Sequence, residues 1–397
     1  MPLTHAEVRA LARPDGESTT VEFKSGKIET HALAKSLVAL ANTEGGQILF
    51  GVDPRGRIVG MTEPGFEDWV AQISRDKVDP PLLPRIQSYG FPEGRVVAIE
   101  VPAGPDKPYA RIHDNRRSYF IRVGSIIREA SAEELQRLFL ASGRFHADEL
   151  PIHGTGLKDV ATPSLRSFLK KLYRRELASL EASEQRSWLA NLGFLHSPDG
   201  PATVAGVLLF AANPDEHLSG CTITVARFAG PDVASGLVDR MDLSGPLPLL
   251  VDDSLRAVQT ALRGRMFRSR GRLAPQKEIP ATLLREALVN AAVHRDYSLT
   301  GRPVRLLIFD KKGPSAGQVQ VRSPGRPPNR LRIEEMVAGL HSVPRNPRIF
   351  TNMAHMGYVQ NLGMGVRSIV AGTTRLGRPA RILVEADETV VAFPRSN

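Results

Sequence analysis

Glu286, Asn290 and His294 recur at every fourth residue in the stretch ATLLREALVNAAVHRD, which runs from about Ala281 to His294. Spacing of i, i+4 and i+8 stacks the three on one face of a helix. The remainder is apolar nearly all round, with Leu283, Leu284, Ala287, Leu288, Val289, Ala291, Ala292 and Val293. A helix of that composition belongs in an interior, where an unpaired carboxylate and amide each cost several kcal/mol. The stripe is therefore expected to face a polar cavity. A carboxylate and an amide oxygen one turn apart can position a water and a hard cation beside a phosphate.

A second set lies near the N-terminus. Glu22 and Lys24 stand at i, i+2 in the strand-like VEFK, so they share a face. Glu17 precedes them, and Asp53 follows a buried strand-like run. Carboxylates that bind a metal and a lysine that stabilises phosphate charge are the kit for metal-dependent phosphodiester cleavage. The same letters also describe an ordinary charged strand face. A third set is Gly363-Met364-Gly365, placed just before a helix expected to start near Val366. Glycines there let backbone N–H groups and the helix dipole approach a phosphate.

The elements that must position these groups follow from periodicity and turn chemistry. The first segment, to about Ser142, alternates strand and helix. It has a strand at Val21 to Lys24, an amphipathic helix from Thr30 to Ala41 ended by Gly45-Gly46, and a buried strand from Gln47 to Val52. Asp53-Pro54-Arg55-Gly56 predicts a hairpin turn into RIVGM. Strands are predicted at Val96 to Val101 and Ser118 to Gly124, and Ser131 with Glu134 forms a capping box that opens a helix. In the middle segment, Thr162-Pro163 starts one helix, and a second is expected from Ser183 to Asn191. The runs VAGVLLFA (Val204 to Ala211) and CTITVARFAG (Cys221 to Gly230) read as strands. Two helices and a hairpin also permit a winged helix; a connector leading into an α/β domain fits the second strand better. Beyond the Glu286 helix, strands are predicted at Val304 to Asp310 and Gln318 to Ser323, with a strand-like ILVEADETVVAF near the end.

The chain has 397 residues, a formal net charge of +10 and a single cysteine, Cys221. That length predicts two or three domains, and one cysteine excludes a disulfide framework or a cysteine metal cluster. No apolar run is long enough to span a bilayer, and the first residues lack a signal-peptide core, so a cytoplasmic protein with no membrane partner is expected. The charge is lopsided. From Leu262 onward there are 23 Lys and Arg against 9 Asp and Glu; before it there are 29 against 33. The densest basic run is Arg263, Arg265, Arg268, Arg270, Arg272 and Lys277, and a smaller one comprises Arg111, Arg116, Arg117, Arg122 and Arg128. Such patches attract nucleic acid or nucleotide phosphates.

Two resemblances are carried by the wording of the sequence. ESTTVEFK, LANTEGGQILFGVDPRGRIVGM and YFIRVGS before a helix, over about Glu17 to Ser142, resemble the Schlafen-type Alba-like (AlbA_2) domain. That resemblance implies nucleic-acid binding and, in members that cut structured RNA, an acidic trio. Carried over, the trio is Glu17, Glu22 and Asp53, with magnesium or manganese as the metal. LREALVNAAVHRDYS, SPGRPP, PRNP and LGMGV, over about Pro280 to Val370, resemble the divergent Bergerat-fold (GHKL) ATPase-like domain of RecG-like proteins and transcriptional regulators. This implies ATP and magnesium, with Asn290 on the cation, Glu286 polarising the attacking water, and Gly363 and Gly365 on the phosphates. Ser323 and Gly325 would form the base-reading turn, where that superfamily carries an aspartate in place of Ser323.

The resulting expectation is an α/β (α+β) protein with three parts. Residues 1–142 form a nucleic-acid-binding domain, 143–261 an α/β connector, and 262–397 a GHKL-like α/β sandwich. Its expected function is nucleic-acid and ATP binding in a regulatory homodimer. The alternative is a metal-dependent nuclease acting on structured RNA or single-stranded DNA. The sequence lacks G-x-x-x-x-G-K-[ST], which excludes a P-loop helicase motor. His294-Arg295-Asp296 echoes a kinase catalytic loop, but Gly301 stands where that loop needs Asn.

Overall fold

The computed structural model describes residues 3–395 apart from 105, 144, 264–265, 270–271, 276–278, 312–316, 328–332, 339–343 and 360–364. The chain divides into two compact units, Met1–Phe145 and His146–Asn397. Helices and strands alternate in several sheets, as expected of an α/β chain. No helix among the described residues is long and apolar enough to cross a membrane.

The first unit opens with α1 (His5–Leu11), β1 (Val21–Lys24), α2 (Thr30–Asn42) and β2 (Gly46–Phe50). Then come α3 (Phe66–Asp76), β3 (Val78–Asp79), β4 (Arg85–Phe91) and β5 (Gly94–Val101). It closes with β6 (Ala110–His113), β7 (Arg116–Ser118), β8 (Phe120–Val123), β9 (Ile126–Glu129) and α4 (Ala132–Ala141). Its main sheet has the order β1-β2-β5-β4, with β1 and β2 parallel. The crossover between them is α2, whose Leu33, Leu37, Leu40 and Ala41 are fully buried with Ile48, Phe50, Val97 and Ile99 from the sheet. Gly45 and Gly46 end this helix with positive φ, and a β-carbon at Gly46 would overlap the Thr20 carbonyl oxygen at 2.1 Å. The predicted hairpin after β2 reduces to one bridge, Val52 to Ile58. Asp53 accounts for this, because its Oδ1 accepts from the amides of Arg55 and Arg57 and curls the chain into a turn. Ser131 and Glu134 form the expected capping box on α4.

The second unit begins with α5 (Leu157–Val160), α6 (Pro163–Tyr173), α7 (Ala182–Asn191) and α8 (Val204–Phe210). Next are β10 (Ile223–Phe228), β11 (Leu237–Leu243), α9 (Leu247–Arg263), β12 (Met266–Ser269) and β13 (Arg272–Pro275). They are followed by α10 (Ala281–Val293), β14 (Val304–Phe309), β15 (Gln318–Pro324) and α11 (Ile333–Ala338). The last elements are α12 (Pro347–His355), α13 (Gly365–Arg375), β16 (Arg381–Glu385) and β17 (Glu388–Pro394). A six-stranded sheet of order β11-β10-β14-β15-β17-β16 spans the unit.

Two features differ from the sequence pattern. Val204 to Phe210 is a helix rather than a strand. Thr203 caps it, accepting from the Gly206 amide, and every residue of the helix is buried. A short, wholly apolar run has no period to separate the two states, so the cap decides. The segment read as a connector also supplies β10 and β11 to the same sheet as β14, with β10 parallel to β14 from Ile223–Val304 to Phe228–Phe309.

Candidate functional site

α10 buries its apolar faces as expected, but its polar stripe, expected to face a cavity, meets another helix. Leu284, Ala287, Leu288, Val289, Ala291, Ala292 and Val293 are buried, whereas Glu286, Asn290 and His294 are half-buried. The stripe faces the first residue of α13. A β-carbon on Gly365 would lie 2.5 Å from both Glu286 Oε1 and Asn290 Nδ2. Two turns later, a β-carbon on Gly372 would lie 2.8 Å from Leu283 Cδ2. Glycines at these two points thus let α13 lie directly on α10. Burial is the largest influence on Glu286 and raises its pKa above the ordinary carboxylate value, against Arg285 and Asn290. Asn290 Nδ2 is buried and makes no hydrogen bond of full geometry among the described residues, although it lies close enough to Glu286 to favour that carboxylate's charged form. Gly363 lies outside the described residues. Upstream of that segment, Tyr358 is tethered to two helices. Its hydroxyl donates to Asp252 Oδ2 at 2.6 Å, and the Arg285 guanidinium sits 4.7 Å from its ring centroid.

The open donor at Asn290 Nδ2 and the helix N-terminus at Gly365 suit an acceptor such as a phosphate oxygen; a magnesium ion would take the Asn290 amide oxygen and the Glu286 carboxylate instead. His294 takes no part in that arrangement. It is the C-cap residue of α10, and burial pushes its imidazole down to about 4.

The turn expected to read a base is less open than its letters suggest. Ser323 Oγ donates to the Ala291 carbonyl at 2.8 Å and is buried. Gly325, at φ +109°, packs against Asp296 and Arg345, which form an ion pair. Asp296 thus lies beside this turn, but its carboxylate is taken by Ser298 and Arg345. The PRNP stretch locks the same corner. Asn346 Nδ2 donates to the carbonyls of Val293 and Arg295 at 2.8 Å each, closing α10. Asp148 is fully buried and its Oδ2 accepts from the Ile349 amide at 3.0 Å, at the start of α12. Burial lifts its pKa to about 6.

In the first unit, the acidic residues are brought into separate engagements. Glu22 is buried; Oε1 accepts from Ser36 Oγ and lies 2.8 Å from Lys24 Nζ, while Oε2 takes Arg122 Nη1 at 2.8 Å. Glu17 Oε1 accepts from the Phe23 amide at 2.9 Å. Asp53 is held by Arg57 at 2.7 Å and by the turn amides, which hold its pKa below the usual value. Among the described residues, no group of three His, Cys, Asp or Glu converges as a metal site. Glu17, Glu22 and Asp53 thus do not fit a shared magnesium or manganese ion.

The basic residues also sort by geometry. Arg122 is a correction: it is not a groove-lining group but a buried tie, also donating to the carbonyls of Ser18 and Val21. Arg117 pairs with Asp79 at 2.6 Å. Arg111, His113 and Arg116 share one face of the β6–β7 ribbon, because His113 is opposite Arg116 and Arg111 lies two residues from His113. α2 adds His31 and Lys35 to that face. The rings of His31 and His113 are 5.5 Å apart, and Lys35 and Arg111 both approach the Phe120 ring, at 5.3 and 4.9 Å. Glu29 and Asp114 flank the two histidines at 3.2 and 3.5 Å. His31, Lys35 and His113 carry no motif; only the α2–β6 packing reveals them. In the second unit, many described arginines are consumed by acids: Arg305 and Arg322 by Glu388, and Arg227 and Arg395 by Asp310. Arg263 ends α9, and Arg268 and Arg272 lie on the β12–β13 ribbon. Arg265 and Arg270 lie outside the described residues.

Comparison with known proteins divides the chain in the same way. Residues 17–131 match the family model described as "Schlafen, AlbA_2". Residues 301–393 match the one described as "Putative ATP-dependent DNA helicase recG C-terminal". The second match starts after α10, so Glu286 and Asn290 lie outside it. No curated protein matches the chain. Solved structures that match include the DIP2311 protein from Corynebacterium diphtheriae, 22% identical over 99% of this chain and 79% of that one, with a TM-score of 0.48. Another is the N-terminal domain of a RecG-related protein from Nitrosomonas europaea, 22% identical over 33% of this chain and 95% of that one, with a TM-score of 0.25. The chain therefore carries one stretch, residues 17–131, that matches the Schlafen AlbA_2 model and another, residues 301–393, that matches the RecG C-terminal model.

Proposed function

We propose that this protein is a nucleic-acid-binding regulator whose second unit binds ATP with magnesium and works as a homodimer. The observation that carries the first half is the face on which Lys35, Arg111 and Arg116 gather, with the rings of His31 and His113 between them. Flexible lysine and arginine heads on one side of a ribbon and helix suit phosphate contacts, which position a protein without reading sequence. The second half is supported by the Glu286–Asn290 pair under Gly365. When bound, the nucleotide supplies the phosphoanhydride and the cation supplies charge neutralisation. Asn290 would offer its amide oxygen to the cation, Glu286 would take a proton from water, and the Gly365 end of α13 would lie beside phosphate.

Anisotropy titration of labelled DNA and RNA over a salt series tests the first half. Lys35→Glu and Arg116→Glu should each weaken binding and lower the salt slope by about one for every phosphate left without its cation. Wild-type protein with no affinity for either nucleic acid at low salt would overturn it. Magnesium–ATP calorimetry on wild type and Asn290→Ala tests the second half. The nuclease alternative is not carried forward, because the oxygens it needs on Glu22 are already held by Ser36, Lys24 and Arg122.

A further inference from the structure

The face on which Lys35, Arg111 and Arg116 gather also holds two groups whose charge is not fixed. The rings of His31 and His113 lie 5.5 Å apart, and their side chains are 46% and 52% exposed. Each ring has a carboxylate at one nitrogen. Glu29 Oε2 is 3.2 Å from His31 Nδ1, and Asp114 Oδ2 is 3.5 Å from His113 Nε2. Protonated, each ring keeps a second donor, His31 Nε2 and His113 Nδ1. The other charges around the pair are engaged elsewhere. Arg117 is opposite Ile112, so strand alternation puts it on the far face of the ribbon, where it pairs with Asp79 of β3. Lys77 adjoins Ile112 through its carbonyl, and Arg75 and Asp76 at the end of α3 pair with each other. On β8, Arg122 is buried against Glu22.

We infer that His31 and His113 are phosphate contacts that bind as imidazolium, so that nucleic-acid binding takes up protons at this face. With both rings neutral, Lys35, Arg111 and Arg116 against Glu29 and Asp114 leave the face at +1; with both protonated it reaches +3. Two imidazolium groups this close repel each other and the cations beside them, and a phosphate among them reverses that balance. Imidazole is the side chain whose charge changes most readily near neutral pH. A polyanion that favours the protonated rings must bind more tightly as protons become available, by linkage. Glu29 and Asp114 support the charged form and still leave one donor on each ring for phosphate.

This rests on the nucleic-acid half of the proposed function and sets how that face is regulated. The test is anisotropy of a labelled single-stranded DNA and a labelled RNA hairpin, titrated with the full chain at pH 6, 7 and 8 over a salt series. Affinity should rise at least about tenfold from pH 8 to pH 6, since each proton taken up is worth up to about tenfold per pH unit. The salt slope at pH 6 should exceed that at pH 8 by about one for each imidazolium placed on a phosphate. Because the chain has ten histidines, the variants decide the assignment. His31→Gln and His113→Gln should each reduce the ratio of affinities at pH 6 and pH 8, and the double variant should bring it close to one. Binding that is absent at every pH would remove the nucleic-acid reading itself. Binding that is equal at pH 6 and pH 8 would keep that reading and overturn the proton uptake. A double variant that loses affinity equally at both pH values, or keeps the wild-type ratio, would also overturn it, because the rings would then be structural or bystanders.

Discussion

Gly365 and Glu286 meet with no room for a side chain between them: a β-carbon on the glycine would stand 2.5 Å from the carboxylate oxygen. Gly365→Ala therefore moves the α13 terminus or displaces the Glu286 and Asn290 side chains. Overpacking costs about 1–3 kcal/mol, and replacing a helical glycine returns roughly 1 kcal/mol, so stability should fall by about 0–2 kcal/mol. Magnesium–ATP affinity should fall at least about tenfold, equivalent to about 1.4 kcal/mol. Calorimetry beside thermal unfolding checks this, and unaltered affinity would take the pair out of the nucleotide site.

Asn290→Ala should separate stability from binding. Its Nδ2 is buried and makes no hydrogen bond of full geometry among the described residues, and such a group costs about 1–3 kcal/mol. Removing it should leave the melting temperature unchanged or raised while nucleotide binding is lost. A variant that is destabilised and still binds ATP would mean that the amide is structural.

Arg116 and Arg122 should behave as opposites although six residues apart. Arg122 and Glu22 are both nearly fully buried, so Arg122→Ala empties the site on Glu22 Oε2 while Oε1 keeps Lys24 and Ser36, and should cost about 3 kcal/mol in denaturant unfolding. Arg116 is exposed, and Arg116→Ala should stay within about 0.5 kcal/mol of wild type while weakening nucleic-acid binding. Equal stability losses would refute the division.

Two groups near α12 give opposing pH dependence. Asp148 titrates at about 6 in the fold, above its ordinary value. Between about pH 4 and 6 the native state keeps a proton that the unfolded chain has released, so this group makes stability fall as pH rises. His294, at about 4, does the reverse: below pH 6.5 the unfolded chain gains a proton that the native state refuses, so stability falls as pH drops. Each effect is on the order of 2–3 kcal/mol, the second moderated by the partly exposed His294 ring. Wild type should show a shallow profile from pH 4 to 6.5. Asp148→Asn should reveal a rise with pH, and His294→Gln a fall; identical slopes in all three proteins would refute both assignments.

The α10 stripe was legible because a carboxylate and an amide on an apolar helix violate its pattern, and the violation marks the contact with Gly365. The capping box at Ser131 was equally local. Legibility ended where the deciding contact is distant. Val204 to Phe210 has no period, and its state rests on Thr203. Ser323 and Arg122 read as ligand-facing residues, yet one is bonded to Ala291 and the other to Glu22. His31 and His113 are far apart along the chain and meet only through α2 packing on β6.

The pairing of β10 with β14 has a practical consequence for anyone cutting this gene. A fragment limited to the matched residues 301–393, or starting at Leu262, discards β10 and β11. It turns Val304–Phe309, five of whose six residues are buried, into a raw sheet margin. Such a fragment should precipitate on expression, and its insolubility would say nothing about the activity of the intact unit. Boundaries placed at His146 keep the margin covered.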